Sequence, residues 1–79
     1  MLDQDRLRNV IATVLNVDPS LIGPDASSDT IQAWDSLRHM NLVLALEEEF
    51  GVSLPDEDAA NATSYPLLVV VLQELLQAS

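Results

Sequence analysis

Seventy-nine residues with 13 acidic side chains, three arginines, no lysine and a formal net charge of −10 make one small, acidic domain. That balance argues against nucleic acid and anionic membrane surfaces as partners, because the chain has almost no cations with which to displace counterions or meet lipid phosphates. With no cysteine and a single histidine, disulfides, thiolate metal sites, a cysteine nucleophile and a convincing nucleophile–base pair for a small hydrolase are excluded.

Residues 3–16 place Leu7, Val10, Ile11, Val14 and Leu15 on one apolar stripe, which predicts an amphipathic helix with Asp3 as its N-cap. Asp18-Pro19 is expected to stop it, since a residue before proline avoids the helical region. Residues 17–34 form a long Pro-, Gly-, Ser- and Asp-rich connection in which Leu21, Ile22, Ile31 and Trp34 are expected to reach the core. A second helix is predicted from Ser36 to Phe50, closed by Gly51, and Asp56–Asn61 reads as one short helical turn. Thr63 or Ser64 can cap a last helix with Pro66 in its first turn, and Leu68, Val71, Leu72 and Leu75 form its stripe. The run LLVVVL over Leu67–Leu72 also suits a buried strand, but no partner strand is visible and QELLQ continues the helical period. The fold class is all-α: a small four-helix bundle, three main helices plus a short one, with a long loop between helices 1 and 2.

The expected organisation is a single domain over residues 1–79 and a cytoplasmic monomer without membrane insertion. No apolar run approaches the ~20 residues that span a bilayer, and Asp3 and Asp5 carry the wrong charge for a leader peptide. A core this small supplies only ~3–5 kcal/mol of net stability. At 48% hydrophobic the chain is nevertheless too apolar to be disordered.

The chemistry centres on Trp34-Asp35-Ser36-Leu37. With Asp35 as N-cap, Ser36 occupies the first helical position, beside unsatisfied N–H groups at the positive end of the macrodipole. A phosphate on that hydroxyl would lie where a helix N-terminus favours an anion. Asp and Ser open many helices with no role beyond capping, so the tripeptide alone supports only a cap.

The wider pattern adds more. DSL follows a long loop in an acidic four-helix chain, and its helix continues LVLALEEEFGVSLP, with Glu47, Glu48 and Glu49 ahead of Phe50-Gly51. From IATVLNVDPSLIGPDA to the final helix the chain resembles the acyl carrier protein family, including its peptidyl carrier relatives. That resemblance implies 4′-phosphopantetheine attached covalently at Ser36, whose terminal thiol carries acyl groups as thioesters. It also implies that Asp35 helps the phosphopantetheinyl transferase to hold Mg2+ transiently during loading, with no resident metal. The implied function is a carrier, not an enzyme, that shuttles acyl or aminoacyl thioesters in fatty-acid, polyketide or related specialised biosynthesis. Its partners would be the transferase, a loading ligase, and downstream synthases with basic docking patches. The alternative is a degenerate, unmodified carrier that serves as an acidic interaction module.

Leu37 and Met40 lie one turn from Ser36 and face either the arm or a docking enzyme, with core packing as the plainer reading. Glu47 and Glu48 are candidates for docking, although glutamate runs are commonly just solvated. Arg38, His39 and Asn41 depart from the resemblance, because fatty-acid-synthesis carriers usually have acidic residues there; the neutral-to-cationic RHMN points to a dedicated partner set. His39 shows no second group that would make it a ligand or catalyst. Trp34 is read as a staple that sets the angle at which the chain enters the helix. The acidic clusters at Asp25–Asp29 and Asp56-Glu57-Asp58 lack the spacing of an EF-hand. Val69, Val70 and Leu76 lie off the last stripe and suggest core, partner surface or the lining of an acyl cavity.

Because a charge of −10 is confined to a small domain, self-repulsion should limit stability. Raising NaCl from ~20 to ~200 mM, or adding millimolar Mg2+, should raise the melting temperature by several degrees in calorimetry; indifference to both would remove that account.

Overall fold

In the computed structural model, which describes residues 2–78 with the side chain of Ala78 excepted, the apolar stripes of three long helices meet in one core and a short helix packs at its margin. Helix α1 (Gln4–Leu15) starts where the Asp3 carboxylate accepts the Arg6 N–H at 3.1 Å. Its Leu7, Ile11 and Leu15 are fully buried, and Val10 and Val14 pack at the margin. The helix ends earlier than Asp18-Pro19 suggests. Asn16 adopts a left-handed conformation (φ 57°, ψ 48°), which asparagine tolerates, and its N–H returns to the carbonyls of Ala12 and Thr13.

Asp18 and Pro19 instead begin a short 3-10 turn, Pro19–Leu21. The Asp18 carboxylate accepts the Ser20 N–H at 2.9 Å. Hydrogen bonds from Ser20 backbone and side chain hold its pKa below the usual carboxylate value. A depressed carboxyl contributes stability above its unfolded pKa and loses it as pH falls through the folded value, so this turn loosens only in acid.

The connection up to residue 35 is anchored in two ways. Ile22, Ala26 and Trp34 are buried, with Ile31 half-buried; Leu21, expected to reach the core, is 62% exposed because the 3-10 turn directs it outward. The backbone also pairs with the start of α4, through Ser28 N–H to Thr63 O at 3.0 Å and Tyr65 N–H to Ala26 O at 2.8 Å.

Helix α2 (Ser36–Phe50) buries Leu42 and Leu46 completely. It packs against α1, where Arg6 reaches its C-terminal end: Nε pairs with Glu49 Oε1 at 2.6 Å, Nη2 donates to Glu49 O at 2.9 Å, and the guanidinium lies 5.3 Å from the Phe50 ring centroid. Helix α3 (Asp56–Asn61) has no side-chain cap and no buried residue; Leu54 and Ala62, just outside it, are buried.

Helix α4 (Tyr65–Ala78) settles the LLVVVL ambiguity. Leu68 and Leu72 face the core while Val70 is 51% exposed, a helical division of the run rather than an alternating one. Val69 and Leu76 pack at the core margin. Ser64, not Thr63, supplies the hydroxyl that accepts the Leu67 N–H, at 3.3 Å.

Gly51 closes α2 at φ 65°, and no atom lies within 4 Å of where a Cβ would stand. Gly51→Ala therefore tests conformation alone and should cost about 1–2 kcal/mol, lowering the melting temperature by roughly 4–8 °C per kcal/mol. Gly23→Ala, whose Cβ would sit 3.5 Å from Asp25 Oδ1 at an ordinary φ, should be close to neutral in the same melt.

Candidate functional site

The first turn of α2 is built on one carboxylate. Asp35, in extended conformation (φ −95°, ψ −179°), accepts the Arg38 N–H at 2.8 Å and so caps the helix. Ser36 follows as the first helical residue and is exposed. Among the described residues no hydrogen bond engages its Oγ, so the hydroxyl points no demand at the fold and stands beside the helix N-terminus. That position suits a phosphodiester: room outside, amide dipoles behind, and no buried neighbour to displace.

The residues around it divide into two groups. Leu37 (70% exposed), Met40 (66%) and Leu44 (63%) form an apolar stripe on the solvent face of α2. Asn41 and Glu48 are exposed on the same helix. Arg38 is exposed as well, with Nη1 reaching the carbonyls of Leu15 at 3.4 Å and Ala33 at 3.5 Å, so its charge lies near the C-terminal end of α1.

His39 and Glu47, both expected to dock partners, also make contacts within the fold that the sequence did not reveal. Glu47 is half-buried, and its Oε2 accepts the Leu54 N–H at 2.7 Å, which fixes the connection into α3. Glu49 is exposed and paired with Arg6, and Glu48 is exposed as well. His39 is engaged at both ring nitrogens. Its Nδ1 lies 3.0 Å from the indole Nε1 of Trp34 and its Nε2 lies 2.7 Å from the Ala59 carbonyl, with the two rings stacked at 6.2 Å between centroids.

Trp34 is 2% exposed and thus the staple expected of it, but its partner is a histidine at the fourth helical position rather than an aliphatic side chain. The spacing was visible in the sequence. A lone histidine on a helix with no nearby titratable partner gave no reason to look for a contact to α3. Among the described residues, no three His, Cys, Asp or Glu side chains gather in a metal-holding group, and no helix is long and apolar enough to cross a membrane.

Comparison with known proteins gives a consistent set of relatives. A family model described as a phosphopantetheine attachment site matches residues 5–69. The acyl carrier protein of Thermosynechococcus vestitus is 44% identical over 55 residues, which cover 70% of this chain and 68% of that protein. Acyl carrier protein 2, mitochondrial, of Arabidopsis thaliana is 40% identical over 65 residues, or 82% of this chain and 52% of the relative, so the chain spans about half that protein's length. The solution NMR structure of a holo acyl carrier protein from Geobacter metallireducens matches with a TM-score of 0.85 and 26% identity, covering 99% of this chain and 90% of that one.

The capping role of Asp35 can be measured separately from any modification. Asp35→Ala should lower the unfolding free energy of the unloaded chain by about 0.5–2 kcal/mol in urea denaturation, while Asp35→Asn should retain most of it.

Proposed function

The chain belongs to the acyl carrier protein family, and on that premise we propose that it is a carrier rather than an enzyme, loaded at Ser36. The family's cofactor is covalent 4′-phosphopantetheine. When attached, it supplies the terminal thiol on which acyl groups travel as thioesters, a group this cysteine-free chain lacks.

The observation that carries the assignment is the exposed Ser36 hydroxyl at the first position of α2, directly after a formed Asp35 cap and within the matched segment 5–69. Asp35 orients the turn and adds a carboxylate close to the hydroxyl, where the loading enzyme's Mg2+ could be met. The body of α2 holds Ser36 at a fixed height above the core through Leu42 and Leu46. Loading and delivery would then occur over the exposed face formed by Leu37, Arg38, Met40, Asn41 and Glu48.

The partners in this reading are a phosphopantetheinyl transferase, an acyl- or aminoacyl-loading ligase, and downstream synthases. The carried group belongs to fatty-acid, polyketide or related specialised biosynthesis. A cytoplasmic location is part of the proposal; one relative is mitochondrial by name.

Incubation with coenzyme A, Mg2+ and a broadly active phosphopantetheinyl transferase should add one phosphopantetheinyl group, localised by tandem mass spectrometry to the peptide containing Ser36. Ser36→Ala should remain unmodified. Absence of the adduct on the wild-type chain, or its persistence in Ser36→Ala, would overturn the assignment.

A further inference from the structure

Trp34 and Ala59 meet at one imidazole. The indole Nε1–H of buried Trp34 can only donate, so His39 Nδ1, 3.0 Å away, must accept. The ring hydrogen is therefore on Nε2, which donates to the Ala59 carbonyl at 2.7 Å. Each end of the ring determines what the other can do. With the Ala59 carbonyl in place, Nε2 must carry the hydrogen and Nδ1 is free to receive the indole. If α3 moved away, Nε2 would meet water, which donates as readily as it accepts, and the indole alone would be left to select the tautomer. An Nδ1–H ring would then face the indole donor with another donor and strand a buried N–H, which is costly.

Helix α3 is the element best placed to move. It has six residues, no side-chain cap and no buried residue. Among the described residues, His39 supplies the side-chain hydrogen bond that reaches it from α2. Between the two helices lies an apolar groove of about 340 Å³, lined by His39, Met40, Val43, Leu44, Leu54 and Ala59 among others. On the other side of the imidazole, Trp34 is followed directly by Asp35 and Ser36.

We infer that His39 is a positioning residue that couples α3 to the turn presenting Ser36, so that opening of the α2–α3 groove is transmitted through the imidazole to Trp34. Its functional consequence rests on the reading of Ser36 as the attachment residue, whereas the coupling itself is a property of the unloaded chain.

The test uses the unloaded, full-length chain, so its outcome is separate from whether Ser36 is modified. Long-range ¹H–¹⁵N spectra of His39 should show the Nε2–H tautomer; a predominant Nδ1–H form would overturn the inference. Ala60→Gly loosens α3 at an exposed site that makes none of the hydrogen bonds of the Trp34–His39–Ala59 link and should accelerate exchange of the Trp34 indole N–H by up to about fivefold. In His39→Asn, which can keep the acceptor toward Trp34, or His39→Gln, which can keep the donor toward Ala59, that acceleration should disappear. Far-UV circular dichroism identifies which of these backgrounds is folded, and Trp34→Phe, read at the residue 34 backbone N–H bonded to Ile31 O, serves as a third. An equal acceleration with and without the intact imidazole link would mean that Trp34 exchanges by global unfolding, and would overturn the coupling, as would no acceleration in either.

Discussion

The buried indole N–H of Trp34 is the constraint around which the functional end of this protein is arranged. Tryptophan brings a large apolar area into a core that is otherwise mostly leucine, isoleucine and alanine, but it brings a donor that cannot be left without a partner. His39 supplies the acceptor from the first turns of the helix that Trp34 precedes. The loop's final residue and the helix it enters are thereby locked to each other, and Asp35 and Ser36 lie between the two fixed points. A precise position for Ser36 follows from satisfying a buried polar atom rather than from any contact made by Ser36 itself.

Charge is distributed with the same economy. The chain has three arginines, and two of them tie helix ends together. Arg6 joins α1 to the C-terminal end of α2, and Arg38 extends from the start of α2 toward the last carbonyl of α1. Cations at helix C-termini offset the local dipole, although exposed pairs of this type contribute little individually. Most carboxylates stay exposed even where they cap a helix or pair with an arginine, whereas Glu47 is half-buried on the Leu54 N–H. The exposed face of α2 is consequently apolar along its length, with Asp35 and Arg38 at the Ser36 end and Glu48 toward the other. That mixture sets this face apart from the strongly acidic chain that carries it.

A carrier needs a rigid point of attachment and a surface that different enzymes can meet. In the proposed reading of Ser36 and the exposed face of α2, one helix serves both. Leu42 and Leu46 anchor one face of α2 with no exposure, while Leu37, Met40 and Leu44 leave the opposite face open. The periodicity of an α-helix allows both without conflict, because residues three and four apart share a face. The short α3, lightly anchored, borders the open side and gives it a groove whose width depends on few contacts.

The sequence by itself determined the helices, their caps at Asp3, Asp35 and Gly51, most of the core, and the candidacy of Ser36. These are properties of local pattern: apolar spacing, capping chemistry, and a left-handed glycine can all be read over a few adjacent residues. It gave the stop of α1 to Asp18-Pro19 rather than to Asn16, and it misjudged the burial of Leu21, where a three-residue turn directs the side chain outward. The tertiary structure alone decided the roles of His39 and Glu47 and the pairing of residues 26–28 with 63–65. Those contacts join segments distant along the chain through backbone N–H and C=O groups, which every residue possesses and which therefore leave no mark in the sequence. His39 looked like a surface side chain because the Ala59 carbonyl becomes its neighbour only where α3 packs on α2, and Glu47 because the Leu54 N–H reaches it only through the turn after Gly51.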